Sequence, residues 1–97
     1  MANEGYHEPL EKLRPETLDM HRAISSLMEE LEAVDWYNQR VDACQADELK
    51  KILIHNRDEE TEHAVMMIEW IRRKDPFFAD QLKERIGRAG PIAKSHD

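Results

Sequence analysis

The sequence predicts an all-α fold: two long antiparallel helices plus a short C-terminal helix, with dimerisation closing the pair into a four-helix bundle. Three observations carry that expectation. Apolar residues recur at steps of three and four along two long stretches. Charged residues make up 36% and apolar residues 40% of the 97, with only 3 Gly and 4 Pro, which suits surface-exposed helices and argues against a β sandwich. A carboxylate and an imidazole three residues apart interrupt the apolar stripe of the second stretch, in Glu60-Thr61-Glu62-His63.

The chain reads as one domain over residues 1–97. Residues 1–8 read as a flexible arm leading into a helix 1 region over 9–43. Met20, Ile24, Leu27, Leu31, Val34 and Val41 recur at helical spacing, with Asn38 in the one polar slot. The helix they predict runs from roughly 16 to 43, about 40 Å at 1.5 Å per residue. Asp42 to Asp47 form a connector, with Asp47 as the expected N-cap. Helix 2 is expected over 48–74, with Leu49, Ile52, Leu53, Met67, Trp70 and Ile71 on one side and Pro76 as its stop. Phe77, Phe78, Leu82 and Ile86 predict a short helix 3 over 76–87, closed by Gly87 or Gly90. The tail over 91–97 has no periodicity. So short a connector makes the two long helices antiparallel. Two helices cannot enclose a core, so their remaining apolar surface calls for further partners.

Composition excludes several classes. With 21 acidic against 14 basic residues the net charge is −7, which argues against nucleic acid as a partner. No apolar run approaches a membrane span, and Met1-Ala2-Asn3-Glu4-Gly5 lacks a signal-peptide pattern. The single cysteine, Cys44, excludes an intrachain disulfide and fits a reducing cytoplasm.

Glu60 and His63 project from one face of helix 2, with Asn56 within about 60° of them on the helical wheel. Leu49, Ile52, Leu53, Met67 and Trp70 share that arc, so the polar trio lies inside the apolar stripe. Glu59 falls at its margin, while Asp58 and Glu62 point away. A carboxylate ionised in such a stripe is costly unless a positive partner meets it, and a metal ion is the simplest one. On helix 1, Glu30 lies at the stripe's edge. Antiparallel packing about the connector sets Glu30 level with Glu60. Di-iron helix bundles take two lone Glu and two Glu-x-x-His pairs. This chain supplies one of each, and a two-fold dimer would complete the set. Carboxylates bridge hard cations, and imidazole suits iron, zinc or manganese. Such a site can bind two Fe(II), admit dioxygen and return Fe(III), with Tyr37 beside Glu30 lining it. Glu29, Glu32 and Trp36 share the opposite face of helix 1. There they form either a collecting site for calcium or another divalent cation, or a solvated acidic face with an exposed Trp. His55 lies off the main arc; His7, His21 and His96 carry no spacing signal. The residues alone leave three readings open: a ferroxidase, a non-catalytic divalent-metal-binding module and a metal-free helical assembly domain.

Two motifs in register carry a resemblance to a known family. Met28-Glu29-Glu30-Leu31-Glu32-Ala33-Val34-Asp35-Trp36-Tyr37 and Ile54-His55-Asn56-Arg57-Asp58-Glu59-Glu60-Thr61-Glu62-His63 are similar to the first- and second-helix signatures of the encapsulated ferritins. His7-Glu8-Pro9-Leu10 and Gly90-Pro91-Ile92 also fit, so the resemblance covers roughly residues 7 to 92. It implies a ferritin-like protomer whose dimer assembles a four-helix bundle around a di-iron ferroxidase centre, and a decamer built as a ring of five dimers. It implies Glu30, Glu60 and His63 of both subunits as iron ligands and Tyr37 adjoining. It further implies Trp36 beside the site or dimer contact, and Glu29 and Glu32 as an access site for incoming metal. The expected partner is an encapsulin shell that holds the oxidised product. Members of the family dock to the shell through an extended C-terminal peptide. The sequence Ala93-Lys94-Ser95-His96-Asp97 has no such apolar, Gly-containing segment, which leaves the route of loading open.

Overall fold

A computed structural model of the chain describes residues 5–93; residues 1–4 of the expected arm and 94–97 of the expected tail lie outside the described residues. A single 3-10 turn, Leu10–Lys12, precedes three helices: α1 (Pro15–Ala43), α2 (Asp47–Lys74) and α3 (Pro76–Arg85). No strand occurs among the described residues. The fold class is therefore the expected one: two long packed helices and a short third.

The helix ends differ from expectation for local reasons. α1 begins at Pro15, beside the expected start near residue 16. Leu13 and Arg14 are extended, because Pro15 disfavours helical backbone at the residue before it and then occupies the first helical position. The connector is shorter than Asp42 to Asp47, since α1 continues to Ala43 and α2 begins at Asp47. Asp47 is not the N-cap: Ala46 holds that position without a side-chain cap. Asp47 and Glu48 instead place negative charge in the first turn, where the helix dipole favours it. Arg72, Arg73 and Lys74 complement the other end. The α2–α3 joint is a single residue, Asp75, whose side chain accepts a hydrogen bond from the Phe78 backbone N–H at 3.0 Å. Helix 3 ends at Arg85 rather than residue 87, and Gly87 follows in the left-handed region at φ +71°. Beyond it, the Arg85 Nε–H donates to the Ile92 carbonyl at 3.0 Å, folding the segment after α3 back on that helix.

α1 packs on α2, and α2 carries α3. The interior is small: Ala23, Val41, Ala64 and Ile71 are the buried apolar residues among those described, and no large side chain is fully enclosed. Ala64 and Ile71 are each 3% exposed. The expected apolar stripes are only partly covered. Ile24, Met28 and Leu31, at i, i+4 and i+7 on α1, are exposed, as are Leu49 and Ile52 on α2. The sequence already required this, because each long helix has one neighbour and more than one neighbour's width of apolar surface. No helix among the described residues is long and apolar enough to cross a membrane.

Because the interior is so small, each buried side chain matters. Ile71→Ala is expected to cost about 2–5 kcal/mol, read as a lower urea midpoint at fixed protein concentration with an unchanged helical circular dichroism spectrum.

Candidate metal centre

The antiparallel register that follows from a three-residue connector brings Glu30 of α1 level with Glu60 and His63 of α2. One ligand atom from each of these three residues lies within 4.8 Å of the other two. Among the described residues this is the one group of three or more His, Cys, Asp or Glu side chains gathered so closely. His63 Nδ1 stands 3.5 Å from Glu30 Oε2 and 3.8 Å from Glu60 Oε2. The side chains of Glu30 and Glu60 are 24% and 29% exposed, and the imidazole is 45% exposed, so the group lies at the open edge of the helix pair.

The electrostatics follow from that placement. The Glu30 carboxyl titrates above the usual glutamate range. The largest cause is the hydrogen bond it shares with Glu60; burial and the Glu60 charge add to it, and His63 opposes it through its charge and its own hydrogen bond. Two carboxylates facing each other need a proton or a cation between them. The donor set of two hard carboxylates and an imidazole fits a divalent transition metal such as iron, zinc or manganese, and one carboxylate can bridge two ions. The exposed side of the imidazole leaves room for further ligands.

The other candidate residues are placed differently. Tyr37 is partly buried, and its ring lies under the Arg40 guanidinium at 5.2 Å. Glu29 and Glu32 lie outside the ligand group, Glu29 exposed and Glu32 half-buried. Trp36 is 49% exposed. His55 pairs with Glu59 at 2.6 Å on the surface of α2. The sequence reading missed one side-chain link between the long helices. Arg57 donates from Nη1 to Asn38 Oδ1 at 3.4 Å, joining α2 to α1. The only signal for it was the polar Asn38 inside an otherwise apolar stripe.

Comparison with known proteins gives this arrangement its context. A family model described as EncFtn-like matches residues 5–88. The chain belongs to the EncFtn-like family. An encapsulated ferritin-like protein of Rhodospirillum rubrum is 60% identical over 91 residues, covering 94% of this chain and 65% of the relative. The chain thus spans about two thirds of that protein's length. A ferritin-like protein of Thermotoga maritima is 46% identical over 89 residues, covering 92% of the chain and 78% of the relative. A crystal structure of a protein from Nitrosomonas europaea superposes with a TM-score of 0.88 at 63% identity, covering 94% of this chain and all of that one. The ligand group and both long helices fall inside the EncFtn-like match.

The raised Glu30 pKa gives a signed prediction. The folded, metal-free protein holds this proton more tightly than the unfolded chain. Its contribution to stability is therefore complete below the ordinary glutamate value of 4.5 and is lost as pH rises through the raised value. Metal-free Glu30→Gln is expected to melt above the parent at pH 7, with the two curves converging in thermal melts below pH 4.5.

Proposed function

We propose that this chain is one half of a ferroxidase that oxidises Fe(II) to Fe(III) with dioxygen at a di-iron centre shared between two subunits. The observation that carries the reading is the convergence of Glu30, Glu60 and His63 from two helices within 4.8 Å. One such group offers two carboxylates and one imidazole, too few donors for two iron ions. A two-fold copy doubles the set to four carboxylates and two imidazoles, the inventory of a carboxylate-bridged di-iron bundle. The exposed apolar surface supports the same conclusion: Leu49 and Ile52 lie within about 60° of His63 on the helical wheel of α2. A partner helix pair laid on that side would cover them and the open edge of the site together.

In this reading iron is the substrate. Glu30, Glu60 and His63 of both subunits hold two Fe(II), each gives one electron to dioxygen, which takes up two protons from solvent and leaves as hydrogen peroxide, and Fe(III) leaves. The carboxylates supply the negative charge that favours the higher oxidation state. Tyr37 adjoins the site, Trp36 flanks it or the dimer contact, and Glu29 and Glu32 form an access site that gathers incoming divalent cations, calcium included. The dimer is the unit of a decamer, a pentamer of dimers. The names of the relatives point to the surroundings. The Rhodospirillum rubrum protein is called encapsulated, and a Myxococcus xanthus protein 42% identical over 57 residues is called an encapsulin nanocompartment cargo protein. We assign this chain the same partner, an encapsulin shell, and the interior of that compartment as its place of work.

Glu60→Ala and His63→Ala are each expected to abolish Fe(II)-dependent oxygen consumption while leaving the helical spectrum intact. Stoichiometric Fe(II) binding without oxygen uptake in the parent protein would replace the ferroxidase with a metal-binding module. Native mass across an anaerobic Fe(II) titration should show dimer growing at the expense of monomer, with two irons per dimer, through ordinary binding linkage. A protein that stays monomeric as Fe(II) rises contradicts the shared site.

A further inference from the structure

Arg57 sits one turn before Glu60 on α2. At i and i+3, an arginine and a glutamate are within pairing reach on a helix surface. A guanidinium is also a good match for a carboxylate. By charge alone Arg57 should close on Glu60. Such a pair would neutralise the carboxylate that a metal ion needs.

The structure shows a different arrangement. The guanidinium is turned to Asn38 on α1, with Nη1 at 3.4 Å from Oδ1, and to its neighbour Asp58, with Nε at 3.3 Å from Oδ1. Its side chain is 30% exposed and reaches from α2 to α1. Glu60 is left to face Glu30 and His63. Both contacts of Arg57 are long, so a neutral amide oxygen and a carboxylate share the cation, and loss of the amide contact leaves the guanidinium freer to move.

We propose that Asn38 is a positioning residue that holds the Arg57 guanidinium away from Glu60, keeping the Glu30–Glu60 carboxylate pair open to an incoming divalent cation. The inference rests on the metal-site reading above. It explains why a polar side chain interrupts the apolar stripe of α1 at residue 38. A neutral acceptor there engages the guanidinium without adding a charge that would itself compete for metal.

The test is an anaerobic Fe(II) titration of the full chain by calorimetry, with the parent, Asn38→Ala, Arg57→Leu and the double variant. Asn38 is exposed and alanine favours helix, so Asn38→Ala should keep the parent's circular dichroism. Asn38→Ala is expected to weaken Fe(II) binding about three- to fivefold, the scale of one partly exposed ion pair acting as competitor. Arg57→Leu should bind as the parent does or more tightly. The double variant should return to the Arg57→Leu value, because an acceptor has no role once its cation is gone. Unchanged binding in Asn38→Ala overturns the inference. So does equal weakening in both single variants and the double, which would make the contact a plain tie between helices. A parent protein that takes up no Fe(II) overturns the metal reading and this inference with it, whereas a binding parent with insensitive variants overturns the inference alone.

Discussion

Glu30 and Glu60 face each other across the contact between α1 and α2, and carboxylates that close repel unless a proton or a cation joins them. The hydrogen bond with Glu60, burial and the Glu60 charge together push the Glu30 carboxyl above the usual glutamate range. The helix pair can hold this arrangement because the group lies at its open edge rather than in its interior, where the cost of a charge would be several times larger. The same edge position explains the exposed apolar residues nearby. One surface carries both the Glu30, Glu60 and His63 group and the uncovered Leu49 and Ile52, so the second copy proposed above would meet both at once.

The fold was legible because its signals are local and long. Two stretches of helical periodicity and a connector too short for any other path fix the antiparallel pair. That pair in turn puts residue 30 level with residue 60. The helix ends were less legible. Asp47 has the right chemistry for an N-cap, but helical backbone reaches back to include it, and its charge then acts on the dipole rather than by capping. The start of α1 was legible, because the periodicity begins just after Pro15 and proline's effect falls on the residue before it.

The candidate site was legible in part, for a related reason. Glu60 and His63 share a face by spacing alone, and Glu30 joins them through the register. Arg57 was not visible in this way. Its reach is long, its direction is set by which acceptor wins, and Asn38 lies nineteen residues away on another helix. Spacing rules locate where a side chain starts; they do not say where a flexible cation ends. Trp36 and Glu29 illustrate the same limit from the other side, since spacing places them on one exposed face without saying what meets it.

The alanines of the interior bear on the site in a way their chemistry conceals. Ala23 is buried on α1, whose neighbouring helix is α2, and Ala64, the residue after His63, is buried on α2. Methyl groups are among the thinnest spacers a helix contact can use, and they set how far apart the two backbones stand. That separation is also the gap across which Glu30 reaches Glu60 and His63. Small side chains with no polar atom thus bear on the distance between those that have them. Drift in side-chain volume at positions 23 and 64 would reach the spacing of Glu30, Glu60 and His63.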